Sequence, residues 1–368
     1  MTRLALPARP AELSRRTFLV HATVGTAALA VVGACAKDDP TETAAAASAS
    51  APLPTSVPSG TELTIASPEG TSQLQLELAG LDGDLPFRVT GWPNVSAGPD
   101  VINAFRAESL DLGSNAGIPP IQAHYQGFDT RIVAVSYHRK PLYVFATKPG
   151  SDIEDAAGFE GKKLAFSQGQ AQGVVLLRAL DEAGIDQSDV DLVPLTSNQF
   201  LTALQTGQVD IAPLYHGQVP QYLDQYGGDG AHTIDTDVVD LLAVLWAPSS
   251  VIDDEAKAAA IAAYVPLWAR AQVWVYENPE RWIDEYFVGT QNLSAEAGAQ
   301  IVELSSKPEF PPSWDEAIAW EQESLDLLAE GGYIDSFDAA ELFDRRFEAL
   351  AADVVGEQYT AVDRPYED

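Results

Sequence analysis

From residue 61 onward, short β-rich runs alternate with stretches of helical periodicity. This alternation is the strongest constraint on the chain, because strands separated by helices stack into α/β layers around a largely parallel sheet. Leu63-Thr64-Ile65-Ala66 reads as the first strand. Gly98-Pro99 then opens a helix with Val101, Ile102 and Phe105 on one apolar face, since proline suits the first helical position. Asp111-Leu112-Gly113 is a short strand end, and residues 131–136 and 142–147 are two more strands.

A second block starts near Lys148. Lys163-Leu164-Ala165-Phe166 predicts a strand, residues 167–171 a polar turn, and residues 172–183 a helix stopped by Gly184. Asp191-Leu192-Val193 is the next strand, and Ser197 can cap a helix bearing Phe200, Leu201 and Leu204 before Gly207 ends it. Val209-Asp210-Ile211 follows as a strand. Residues 241–246 read as a strand of the first block resumed, and everything beyond about 253 reads as helix. Within that region Pro266 predicts a kink or a break, and Ser313-Trp314-Asp315-Glu316 fits a capping box. The spacing gives residues 61–147 plus 239–368 as one lobe and 148–238 as a second, inserted lobe. Two crossings between them make a hinge.

The N-terminal region has a different character. Ser14-Arg15-Arg16-Thr17-Phe18-Leu19 precedes a mostly apolar run over residues 18–32, shorter than the roughly 20 residues a bilayer-spanning helix needs. Residues 1–34 are expected to be a twin-arginine-type lipoprotein signal peptide, ending in the lipobox-like Val32-Gly33-Ala34-Cys35. Cys35 would carry the lipid. Residues 35–60 are then the anchor and a flexible linker, nearly all Ala, Ser, Thr, Pro and Asp, too polar to offset chain entropy by burial. This architecture places a folded domain outside the cytoplasm, on the outer face of the cell membrane.

Composition excludes several classes. With 54 acidic and 21 basic side chains the formal charge is −33, which would repel a nucleic acid. The one cysteine rules out a disulfide framework, a cysteine-rich zinc site and an iron–sulfur cluster. His124, His138, His216 and His232 fall in no zinc-hydrolase spacing, and the chain has no Gly-x-Ser-x-Gly elbow and no phosphate loop. The informative elements are small polar loops beside helix starts. Ser167-Gln168-Gly169-Gln170 either caps its helix or offers an anion the free N–H groups of the first turn. Ser114-Asn115-Ala116-Gly117 either makes a turn or lets a ligand approach the backbone. Trp92 and Ser96, before Gly98-Pro99, form a third such loop, whose indole walls a ligand or sits in the core.

The order of these elements resembles the substrate-binding proteins of bacterial ABC importers for aliphatic sulfonates, taurine and nitrate. The matching stretches are Ser96-Ala97-Gly98-Pro99, the loop from Asp111 through Pro119-Pro120, Gly158-Phe159-Glu160-Gly161-Lys162-Lys163-Leu164-Ala165, the Ser167 loop, Gly207-Gln208-Val209-Asp210 and Glu277-Asn278-Pro279-Glu280. The resemblance implies a type II periplasmic-binding-protein clamshell, each lobe a mainly parallel sheet flanked by helices. It implies a monomer that is no enzyme, has no cofactor or metal, and hands a small molecule to a membrane permease. Its pocket positions fall on Ser114, Asn115, Ala116, Ser167, Gln168, Gly169, Gln170, Tyr215 and His216, with Ser96 beside them and Trp92, Tyr215 and Trp246 over an apolar tail. Asn115-Ala116-Gly117-Ile118 and Tyr215-His216-Gly217 depart from the motifs of sulfonate binders, so a pyrimidine precursor as ligand, or an enzyme or sensor on this scaffold, stays open as an alternative.

Overall fold

The computed structural model describes residues 52–361; the expected leader, Cys35 and the spacer up to residue 51 lie outside them. Leu53 and Val57, within the segment read as linker, pack against the core. Strand β1 (Glu62–Thr64) pairs in parallel with β2 (Arg88–Gly91), flanked by helix α1 (Thr71–Ala79). Helix α2 (Gly98–Arg106) buries Val101, Ile102 and Phe105 as its periodicity requires. After it come β3 (Gly113–Ala116), α3 (Ile118–Tyr125) and β4 (Thr130–Tyr137). The chain then passes to β5 (Tyr143–Thr147), β6 (Lys163–Phe166), α4 (Ala171–Glu182), β7 (Asp191–Pro194), α5 (Ser197–Gln205), β8 (Ile211–Tyr215), α6 (Val219–Tyr226) and β9 (Thr233–Ile234). It returns through β10 (Leu242–Pro248).

A three-stranded sheet has the order β3-β10-β4 and a five-stranded sheet the order β7-β6-β8-β5-β9. Strand 143–147, which the sequence reading puts with the first block, hydrogen-bonds into the five-stranded sheet. The chain therefore changes sheet between Tyr137 and Tyr143 and again between Ile234 and Leu242. The sheets are mixed rather than mainly parallel: β6 runs parallel to β7 and β8, whereas β5 is antiparallel to β8 and β9, and β10 to β3 and β4. The cause lies in the crossings. The strands flanking them reverse direction, while the strand–helix–strand segments give the parallel pairs.

Beyond β10 the chain is not helix throughout. Helix α7 (Glu255–Glu277) runs through Pro266 as one element, held by a buried face that includes Ile261, Tyr264, Val265 and Trp268. The helical turn Pro279–Trp282 continues into a π-helical segment, Ile283–Val288. Helices α8 (Ala295–Leu304) and α9 (Asp315–Glu330) follow, with bridges from Glu309 to Tyr137, Phe310 to Thr360 and Phe343 to Ile132 in the intervening and final loops. The expected capping box at Ser313 does not form, because the Glu316 carboxylate is paired with Arg139 at 3.0 and 3.1 Å.

Candidate functional site

A cavity of about 960 Å³ lies between the two sheets and is lined from both. From the side of the three-stranded sheet come Ser96, Ala97, Gly98, Asn115 and Ala116, and from the side of the five-stranded sheet come Gln170, Ala171, Gln172, Ser197, Asn198 and Tyr215. Residues at the starts of α2, α4 and α5 all line it, and Gly98, Ala171, Gln172 and Asn198 among them carry first-turn N–H groups that lack intrahelical acceptors. Local chemistry fixes these starts. Ala97 stands in extended conformation ahead of Gly98-Pro99, and Thr196 with Gln199 forms a reciprocal cap on α5. The cap is Thr196 rather than the expected Ser197.

Ser197 is used differently. The Gln170 side chain accepts from the Ser167 hydroxyl (2.7 Å) and from Ser197 N (2.9 Å), and donates to Ser197 Oγ (2.8 Å). It thereby ties the starts of α4 and α5 together. Asn115 is equally committed: its Nδ2 donates to Ser96 O (2.8 Å) and its Oδ1 accepts from Trp246 Nε1 (3.0 Å). Both amides shape the wall through contacts within the protein.

Of the residues expected at the site, the structure brings Ser96, Asn115, Ala116, Gln170 and Tyr215 to the cavity. Trp246 cannot cover a ligand: it is 0% exposed, edge-on to Phe105 with ring centroids 4.8 Å apart, because β10 is a central strand covered on both faces. Trp92 instead lines a separate cavity of about 340 Å³ beside Leu76, Phe87 and Arg88. Ser114 stays half-buried in β3 opposite Leu245, and buried Ser167 is spent on Gln170. Gln168 donates to Tyr333 O (2.7 Å) and its carbonyl accepts from Gln122 (3.3 Å). Gly169 sits against the same Gln122 side chain, and its carbonyl oxygen lies 2.9 Å from where a Gly98 Cβ would stand. His216 Nε2 is 3.0 Å from Pro141 O. These groups pack the rim and the interior behind the cavity wall.

The sequence reading missed the wall supplied by the C-terminal third. Gln272 and Tyr276 at the end of α7, Trp282, Tyr286 and Phe287 of the irregular segment, and Ser305 and Ser306 all line the cavity, as do Glu69, His138 and Tyr143. No local motif marks them; a π-helical stretch, which puts successive aromatics on a shared face, is visible only in three dimensions. The lining includes no Lys or Arg. Burial lowers the His138 imidazole to about 4, so it is neutral near pH 7. Among the described residues no cluster of His, Cys, Asp or Glu could hold a metal ion, and no helix is long and apolar enough to cross a membrane.

Two α/β halves, double crossings and a lined cleft define the class: the fold is the two-lobed clamshell of periplasmic binding proteins. Residues 94–253 match the family model described as NMT1/THI5 like. The structure matches the periplasmic aliphatic sulphonate binding protein SsuA from Escherichia coli with a TM-score of 0.64 and 25% identity, covering 77% of this chain and 92% of that one. It matches the alkanesulfonate-binding protein SsuA from Xanthomonas axonopodis pv. citri, bound to MOPS, with a TM-score of 0.65 and 19% identity over 84% and 100% of the two chains. In sequence it is 35% identical over 130 residues to an aliphatic sulfonates-binding protein of Escherichia coli (strain K12), covering 35% of this chain and 41% of that relative. The chain thus spans about two fifths of the length of that curated relative. Within the clamshell class, the chain is similar in sequence and fold to bacterial aliphatic sulfonate-binding proteins.

Proposed function

We propose that the chain is an extracytoplasmic solute-binding lipoprotein that captures a small polar or anionic molecule, of sulfonate, taurine or nitrate type, and delivers it to an ABC permease. One observation carries this reading: a cavity of about 960 Å³ lined from two sheets that the chain joins by two crossings. A solute there touches both lobes, one built on the three-stranded sheet and the other on the five-stranded sheet that takes in Tyr143–Thr147, and favours their closure by its differential contacts. The acidic end sits at the starts of α2, α4 and α5, near Ser96, Asn115, Ala116 and Gln170, with Tyr215 over the remainder. Each helix start adds roughly 0.3–1 kcal/mol, more where water is excluded, so several convergent starts can replace an arginine. The surrounding charge of −33 acts weakly inside a closed cleft, because salt screens exposed charges over roughly 8 Å.

The protein makes and breaks no bond in this reading, has no cofactor and works as a monomer. The twin arginines and Val32-Gly33-Ala34-Cys35 support export and lipidation at Cys35. The test is a thermal-shift panel of alkanesulfonates, taurine, nitrate and pyrimidines, followed by analysis of each mixture for product. At least one solute should raise the melting temperature and be recovered unchanged. Product formation would end the carrier reading, and a panel without any shift would remove its solute class.

A further inference from the structure

One part of the cavity lining has a chemistry unlike the helix starts. Glu69 is the one carboxylate among the lining residues, and no Lys or Arg pairs with it among the described residues. Its backbone lies at φ 52, a left-handed conformation uncommon outside glycine, and it is held there by Asn94, whose Oδ1 accepts from Glu69 N at 2.8 Å. Tyr286 fixes the side chain by donating its hydroxyl to Glu69 Oε2 at 3.0 Å, and itself accepts from Gln291 Nε2 at 3.2 Å. Burial, then the charge of Glu69, holds the Tyr286 hydroxyl protonated and so keeps it a donor.

Glu69 is exposed, and aromatic side chains line the same cavity. Trp282 stacks on Tyr286 with centroids 4.5 Å apart, Phe287 meets Tyr286 edge-on at 5.0 Å, and Tyr215 enters the same cavity from the five-stranded sheet with 40% of its surface exposed. A fixed anion beside π-faces attracts a cation, by roughly 0.5–2 kcal/mol for each well-placed ring. It repels a second anion. A bare alkanesulfonate gains only apolar contact from these rings and nothing from the carboxylate.

We infer that Glu69, with Tyr286, Trp282 and Tyr215, forms an ammonium subsite, and that the ligand is a zwitterion with an acidic group at one end and a protonated or quaternary amine at the other. This rests on the carrier reading above, with the helix starts taking the acidic end. It selects a substrate class within that reading, in which the amine decides the affinity.

The experiment uses matched pairs. The purified chain is titrated calorimetrically with amino-alkanesulfonates of two, three and four carbons, and with the alkanesulfonates that carry a methyl group in place of the ammonium. At least one amino compound should bind tenfold or more tightly than its methyl counterpart. Glu69→Gln should erase that preference, and Tyr286→Phe, which keeps the ring, should reduce it. Methyl compounds that bind as well as amino compounds, or a preference untouched by Glu69→Gln, would overturn the subsite and leave the carrier reading standing. If neither series binds, the subsite falls, and the carrier reading is then decided by the wider solute panel.

Discussion

Two buried carboxyl groups, Glu321 and Asp240, set the pH response expected of this protein. Glu321 is 0% exposed, and neither of its oxygens has a hydrogen-bond partner among the described residues. Burial pushes it up to about 8, with Asp240 adding repulsion and Arg178 partly offsetting both, and burial pushes Asp240 itself to about 7. Arg178 is occupied elsewhere, 3.8 Å over the Trp320 ring and 3.0 Å from Ser324 Oγ. In the unfolded chain such carboxyls titrate near pH 4, so between that value and about 7 to 8 the folded state binds more protons and stability falls as pH rises. The lowered His138 acts the other way, but only below its ordinary value near 6.5. Between pH 6.5 and 8 the carboxyls are therefore isolated. Urea midpoints should fall over that interval, and Glu321→Gln should flatten the fall; an unchanged slope would refute the assignment. Gly117 has the complementary requirement, since a Cβ there would overlap Glu321 Oε2. Gly117→Ala should cost about 1–3 kcal/mol of stability in the same measurement.

At the scale of elements, the stitch between α4 and α5 is the feature most open to test. Gln170→Ala removes the acceptor of Ser167 Oγ and Ser197 N and the donor to Ser197 Oγ, leaving a buried hydroxyl unpaired. The expected loss is about 2 kcal/mol by denaturant unfolding, accompanied by weaker solute binding because both helix starts lose their relative position. Wild-type stability and affinity in that variant would show the stitch to be incidental. Elements of this kind were partly legible beforehand. The apolar stripe of α2 and the stop at Gly184, which has φ +68, are written locally and were readable. The Ser313 motif misled because the partner that takes Glu316 is Arg139, far away in sequence, where the guanidinium also donates to Glu309 at 2.9 Å. Pro266 does not divide α7, because tertiary burial of the helix outweighs a local preference. Strand direction misled for a related reason: the segments that cross between sheets reverse, and periodicity has no sense of direction.

For the whole molecule, the site is assembled from segments up to 240 residues apart, from Pro68 to Pro308. That explains why loops beside helix starts, such as Ser96, Asn115 and Gln170, were legible, while Glu69 and the aromatic wall of the irregular segment were not. It also explains why Trp246, read as cover for an apolar tail, is core: Phe105 of α2 packs edge-on against the ring and Asn115 accepts from its Nε1. If the cavity is the working part, filling it should abolish capture without unfolding the chain. Ala116→Trp, on the cavity wall, should lower affinity for any bound solute at least tenfold, as read by calorimetry, with the circular dichroism spectrum retained. The most direct measurement is a crystal structure of the chain with the panel compound that gives the largest thermal shift. Electron density for that compound is expected between the starts of α2 and α4, touching residues of both sheets. Density elsewhere on the molecule, or contacts confined to one sheet, would contradict that expectation.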